Sequence, residues 1–385
     1  MYQLNNNKTI CFVSALFYPH LGGVERYTHQ LSKKLVEFGY NILIITTNTN
    51  NINEFEVMDG ISIYRLPIYK FLGIRYPVIK HNKEYFKTIK EIKEIPIDFF
   101  VINTRFYLTS LLGLALAKKQ KKPAIVIEHG TGNFSINNKI LDFIGRIYER
   151  IITSKVKNYN PKFYGVSHAC NSWLKHYNIN SSGTFYNGID STYLIKNKLD
   201  IRKKFSIPEN AIIVCFIGRL IEEKGIPEFY SAAKKLATEH ADLYFFIAGT
   251  GPLLSSIKTN QVNLNNIFIL GSLDYDGVMN LLNQSDILVN PSKYPEGLPT
   301  IILEAGINKC AVIATPKGGT TELITSRDYG IIIRPGNVED IINSVLHLKN
   351  NKGYLNLISN NLYQRIKKDF DWSNLGEKFI NTLLE

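Results

Sequence analysis

Residues 211–225 read AIIVCFIGRLIEEKG, and the fold follows from how that stretch is taken. Ala211–Ile217 is an apolar, β-branched run of the length of one buried strand, and it stops abruptly at Gly218-Arg219. Lys224-Gly225 then opens a helical pattern over Pro227–Thr238. Working outward, short apolar runs recur at Leu243–Ala248, Ile267–Leu270, Ile287–Val289, Ala311–Ala314 and Ile331–Ile333. Helical stretches at Tyr275–Asn283 and Pro299–Asn308 separate several of them. Strands alternating with helices predict parallel βαβ units. The same alternation fills the first half. Thr9–Ala15, Ile42–Thr46, Phe99–Ile102, Ala124–Glu128 and Lys162–Val166 read as strands. Val24–Phe38 is an amphipathic helix closed by Gly39. The polar stretch near Lys196–Lys204 separates the halves, which predicts an α/β protein of two Rossmann-like, doubly wound domains, 1–195 and 196–369, facing a central cleft.

Composition agrees with a globular chain. At 385 residues, 45% apolar and 20% charged, it exceeds what one core organises. The opening Asn5-Asn6-Asn7-Lys8 does not read as a signal peptide, and no apolar run approaches the ~20 residues of a membrane span. Cys11, Cys170, Cys215 and Cys310 are widely separated, without metal-ligand spacing, which suits a reducing cytoplasm. The charge is lopsided. Residues 1–190 hold 24 Lys and Arg against 13 Asp and Glu, whereas residues 191–385 hold 21 against 20. A basic N-terminal half implies an acidic partner surface.

Four constellations carry chemistry. In Glu296-Gly297-Leu298-Pro299-Thr300-Ile301-Ile302-Leu303-Glu304, Pro299 suits the first helical position, so the amides of Thr300 and Ile301 would point from a helix N-terminus toward a phosphate. Glu296 and Glu304 would then reach opposite sides of a bound diphosphate; two surface glutamates on a solvated helix are the alternative. Gly218-Arg219 and Lys224 stand at the carboxyl end of a strand, where an arginine fork and a mobile lysine suit phosphate oxygens, though such cations are more often merely solvated. Gly22-Gly23 lets backbone approach an anion, or simply makes a turn; it is not G-x-G-x-x-G, and no acidic ribose-binding residue follows, which disfavours a nicotinamide enzyme. His129-Gly130 follows a strand, where the imidazole either meets substrate or is satisfied within its turn. Asp274-x-Asp276 precedes a helix and reads as a cap rather than a metal site, and no metal or other cofactor is expected.

Together these residues resemble glycosyltransferase family four, retaining enzymes of the GT-B fold. The likeness runs through YPHLGGVERYTHQLSKKL at Tyr18–Leu35, NGID at Asn187–Asp190, FIGRLIEEKG at Phe216–Gly225, FIAGTGP at Phe246–Pro252, NPSKYPEGLPTIILEA at Asn290–Ala305 and TPKGG at Thr315–Gly319. The resemblance implies transfer of a hexose from a UDP- or GDP-sugar. Glu296 would contact the sugar hydroxyls and Glu304 the ribose. Arg219 and Lys224 would neutralise the diphosphate, Gly22 and Gly23 would approach it, and His129 would lie beside the transferred sugar. Gly218, Gly249, Gly297, Leu298, Pro299, Thr300 and Ile301 complete the implied donor site. EGLP stands where many members have EGFG, a variant that leaves the helix start intact. The resemblance also implies a C-terminal helix, near Asn374–Leu384, crossing back onto the first domain, and an acceptor on that domain.

The basic stretch Tyr64–Glu94 carries Arg65, Lys70, Arg75, Lys80, Lys83, Lys87, Lys90 and Lys93 among Tyr69, Phe71, Tyr76, Tyr85 and Phe86. A helix over Tyr85–Ile95 would set Phe86, Ile89 and Ile92 on one side, as an interfacial helix requires, and Lys118, Lys119, Lys121 and Lys122 add a second cluster. The expectation is a peripheral protein on the inner leaflet, acting on a glycan or polyprenyl-diphosphate-linked acceptor in surface polysaccharide or lipopolysaccharide assembly, without nucleic acid. An ordinary lysine-rich surface, a sugar-nucleotide epimerase of the same fold and a non-catalytic nucleotide-sugar-binding protein are the competing readings.

Overall fold

A computed structural model describes residues 8–20, 22–69, 76–133, 139–196, 198–259 and 264–384. The chain packs as two units, one running to Asn187 and taking up the segment from Trp372, the other Gly188–Asp371. The change of unit falls after Asn187.

The first unit contains β1 (Thr9–Val13), α1 (Gly23–Glu37), β2 (Asn41–Thr47), β3 (Phe55–Met58), β4 (Ile61–Leu66), β5 (Ile68–Tyr69), β6 (Val78–Ile79), α2 (Lys83–Glu94), β7 (Phe99–Asn103), α3 (Leu108–Gln120), β8 (Ala124–Glu128), α4 (Lys139–Lys157), β9 (Lys162–Gly165), α5 (His168–Leu174) and β10 (Gly183–Thr184). Its main sheet runs β10-β9-β8-β7-β1-β2-β4-β3, with β3 the antiparallel edge. β1 is buried throughout because both faces are covered. Ile10 and Phe12 enter one core with Tyr27 and Leu31 of α1, while Cys11 and Val13 enter the other with Ile89 and Ile92 of α2.

The second unit contains α6 (Ile201–Lys204), β11 (Ile212–Ile217), α7 (Ile226–Glu239), β12 (Leu243–Ala248), α8 (Leu254–Thr259), β13 (Ile267–Gly271), α9 (Tyr275–Asn283), β14 (Ile287–Asn290), α10 (Thr300–Ile307), β15 (Ala311–Ala314), α11 (Thr320–Leu323), β16 (Ile331–Ile332), α12 (Val338–Asn350) and α13 (Lys352–Asp369). Its sheet is parallel in the order β13-β12-β11-β14-β15-β16. The last helix, α14 (Trp372–Leu384), belongs to the first unit, where Phe379 stacks on Phe12 at 6.2 Å and Trp372 meets Tyr27 edge-on at 5.5 Å.

The basic stretch differs from its reading in sequence. Ile89 and Ile92 of α2 face the core, so the lysines of that helix have no apolar pole beside them beyond the exposed Phe86. Arg65 is not a surface cation: it is buried, donates to the carbonyls of Tyr18 and Asn53, and pairs with Glu56. Lys70, Phe71 and Arg75 lie outside the described residues.

Candidate active site

In each sheet the order reverses direction at one place, between β1 and β7 in the first and between β11 and β14 in the second. At such a switch point, adjacent strands send their connections to opposite sides and leave a crevice beyond their carboxyl ends. The sequence-predicted residues collect at these ends.

In the second unit, Gly218 and Arg219 follow β11, Gly249 follows β12, and Glu296–Thr300 lead from β14 into α10. The loops fit together because they are glycine where they touch. Gly249 has φ +136°, and a Cβ there would sit 1.8 Å from the Gly218 carbonyl oxygen. The backbone ladder continues past the strands, with Gly218 N donating to Ala248 O (3.0 Å) and Leu220 N to Thr250 O (2.8 Å). A second stitch joins the turn before α7 to the loop after β14. Lys293 N donates to Glu223 O at 2.7 Å, and Gly225 at φ +73° leaves room for the Pro291 carbonyl. This brings Lys224 Nζ within 2.7 Å of Glu296 Oε1, with Arg219 and Lys224 both over the Tyr294 ring (5.8 and 5.4 Å). Both ends of the ion pair are four-fifths covered.

Pro299 is the N-cap of α10 and not its first helical residue, as the sequence suggested. The consequence is unchanged: Ile302 N reaches Pro299 O (3.1 Å), and the amides of Thr300 and Ile301 lie at the helix mouth, ahead of that bond. Gly297 and Leu298 are buried beneath that mouth, and Glu304 is buried a turn further in. Gly319 N donates to Gly297 O (2.8 Å), and Gly318 at φ +54° admits the Glu296 carbonyl, so TPKGG props the loop from behind. Asp274 caps α9 through Gly277 N (2.8 Å), while Asp276 accepts from Tyr193 Oη and Lys196 N. Among the described residues no cluster of three His, Cys, Asp or Glu side chains could hold a metal ion.

In the first unit, Gly22 is the N-cap of α1, and Gly23 begins the helix with open space where a side chain would stand. A side chain at Gly22 would meet only the flexible carboxylate end of Glu25, which can give way. Glu25 folds over the helix start, and a Cβ on Gly22 would lie 2.3 Å from its Oε2. His129 sits at the end of β8 in a hydrogen-bond relay. Thr28 Oγ1 donates to Val24 O (2.7 Å), Asn103 Nδ2 donates to Thr28 Oγ1 (2.8 Å), and Asn103 Oδ1 lies 2.9 Å from His129 Nε2. The relay fixes the tautomer, because Asn103 Oδ1 can only accept: His129 Nε2 carries the proton and Nδ1 the lone pair. Burial pushes the imidazole down to about 3, so it is neutral at physiological pH.

Asn103 was not visible as a site residue in the sequence, and neither was the ion cluster beneath it. Arg105 is fully buried, pairs with Glu128, lies 3.4 Å from Glu149, and stacks 3.9 Å from the Tyr177 ring centre. Glu128 Oε1 in turn accepts from the amides of His129 (3.2 Å) and Gly130 (3.4 Å), pinning the loop that carries the histidine.

Two Rossmann-like units, the second carrying glycine-paired loops, a basic pair and a helix mouth beyond the carboxyl ends of its own strands, define a GT-B glycosyltransferase. The chain belongs to glycosyltransferase family four: the Glycosyltransferase Family 4 profile matches residues 21–193 and the Glycosyl transferases group 1 profile residues 197–368. It is 26% identical over 369 residues to an uncharacterized glycosyltransferase of Methanocaldococcus jannaschii, covering 92% of this chain and 93% of that one. It is 24% identical over 386 residues to a component of the Homo sapiens phosphatidylinositol N-acetylglucosaminyltransferase, covering 96% and 74%. Among solved structures, Anabaena HepE with UDP-glucose superposes at a TM-score of 0.75 with 17% identity, over 98% of this chain and 99% of that one.

Proposed function

We propose that this protein is a retaining, metal-independent hexosyltransferase that takes a sugar from a UDP- or GDP-linked donor. Its acceptor is a glycan or a polyprenyl-diphosphate-linked sugar at the inner face of the membrane, in surface polysaccharide or lipopolysaccharide assembly. The observation that carries the reading is the Lys224–Glu296 contact of 2.7 Å beside Arg219 and the mouth of α10. Breaking the anomeric bond places positive charge on the sugar and negative charge on the departing diphosphate. In this reading Arg219 and the amides of Thr300 and Ile301 receive that negative charge as preorganised donors, which cost little reorganisation during reaction, and Lys224 joins them by leaving Glu296. When phosphate draws Lys224 away, Glu296 is released to accept hydrogen bonds from sugar hydroxyls. Glu304 holds the ribose, and Gly249 and Gly218 keep the floor of the site free of side chains. In line with the family resemblance, we assign a same-face displacement in which the leaving phosphate accepts the acceptor's proton. HepE was solved with UDP-glucose, and the human relative acts on phosphatidylinositol by name; both support a nucleotide-sugar donor and a lipid acceptor here. No helix among the described residues is long and apolar enough to cross a membrane, so attachment in this reading is peripheral.

The test is transfer by Lys224→Ala and Glu296→Ala proteins, on whichever nucleotide sugar most raises the wild-type melting temperature. Each should lose at least about a hundredfold in kcat, the scale of one preorganised donor. Near-normal rates in both variants would overturn the site.

A further inference from the structure

We infer that α4 is the membrane-docking surface of this protein, a helix laid in the plane of an anionic phospholipid bilayer. The inference deepens, and rests on, the membrane-side reading of the acceptor. Helices on a doubly wound sheet bury their apolar stripe inward, and α4 does so only in part: Glu149, Ile152, Thr153 and Val156 face the protein. Its outward pole is also apolar. Ile140, Phe143, Ile144, Ile147 and Ile151 recur at helical spacing, with Leu141 on their margin, and all six are 46–73% exposed. Such a run along one 19-residue helix is more than scattered surface hydrophobics account for.

Charge decides what covers it. Lys139, Arg146, Arg150 and Lys157 are exposed along one edge of the stripe and Lys155 along the other. Of the two acids on the helix, Glu149 is turned inward onto Arg105, and Asp142 lies on the side away from the stripe. A two-fold pairing of two copies through this stripe would oppose cations whichever way the helices ran. Antiparallel helices would set Arg146 and Arg150 against their equivalents, and parallel helices would set them against Lys155. An anionic lipid surface meets both features at once, with the apolar pole among the acyl chains and the basic edges at the head groups. α2 offers only half of this, since its lysines flank a stripe already spent in the core.

The test is co-sedimentation with vesicles of phosphatidylglycerol and phosphatidylcholine, against pure phosphatidylcholine, at low ionic strength. Wild type should bind the anionic vesicles and not the neutral ones. Ile144→Glu with Ile147→Glu should lower partitioning by about tenfold or more, and Arg146→Glu with Arg150→Glu should lower it too. Lys87→Glu with Lys90→Glu on α2 should change it less. Circular dichroism and melting of each variant exclude unfolding. Wild type that stays in the supernatant, or an Ile144/Ile147 variant that binds like wild type, overturns the inference. So does a wild-type dimer in light scattering that the same double variant abolishes. Stabilisation by the nucleoside diphosphate is read on the same preparations. If it holds while vesicle binding fails, only this surface is wrong. If it is absent while binding follows α4, the enzymatic reading falls and the surface stands.

Discussion

The neutral His129 makes a pH dependence that can be worked out beforehand. Its ordinary value of 6.5 is pushed to about 3 by burial. Between those values the unfolded chain binds a proton that the folded one does not, so stability is present above 6.5 and falls as the pH drops toward 3. Each pH unit is worth about 1.4 kcal/mol, which puts the loss from pH 6.5 to pH 5 at no more than about 2 kcal/mol. That is a ceiling, because part of the residue still reaches solvent. Urea midpoints at pH 7 and pH 5 should therefore separate wild type from His129→Gln, which cannot titrate: wild type should lose up to that much more. Asn103→Asp sets a carboxylate where an amide oxygen now stands 2.9 Å from Nε2. The imidazolium is then favoured, the extra acid sensitivity should shrink, and the activity profile should move to higher pH as the Nδ1 lone pair is lost at neutrality. Parallel pH curves for wild type and His129→Gln would refute the reasoning, as would an Asn103→Asp enzyme with an unshifted activity profile.

Two further substitutions follow from packing. Gly249→Ala places a Cβ against the Gly218 carbonyl at a φ of +136°, and should cost about 3 kcal/mol or more in denaturant titration, with donor binding lost as the loops part. Arg105→Met leaves Glu128 and Glu149 buried without their cation and should cost about 3–5 kcal/mol at neutral pH, partly recovered in acid where a carboxyl takes a proton.

Much of the fold is legible in the sequence because parallel strands buried on both faces appear as uninterrupted apolar runs. Ala124–Glu128, Leu243–Ala248 and Ala311–Ala314 have the bounds their composition indicates. Strand ends that continue in polar residues, such as Asn290 of β14, do not show in composition. The β3–β4 hairpin escapes the same reading, although Asp59-Gly60, both at positive φ, is the pair such a turn demands. Within the site, residues following strands could be found by position. The Lys224–Glu296 pair could not, since 72 residues separate its members and only the stitch through Glu223 and Lys293 brings them together. Nor could charge alone find the exposed apolar stripe on which the membrane proposal rests. Lysine density pointed to α2, whereas the outward pole of α4 depends on which residues the sheet has already covered.

In the function proposed here the second unit holds a leaving diphosphate with Arg219, Lys224 and the mouth of α10. A crystal structure of the protein with the stabilising nucleoside diphosphate tests it most directly. Phosphate oxygens should lie within hydrogen-bond distance of Lys224 Nζ, the Arg219 guanidinium and the Thr300 or Ile301 amide, with Lys224 drawn off Glu296. A diphosphate bound elsewhere, with the Lys224–Glu296 pair still closed, would contradict it.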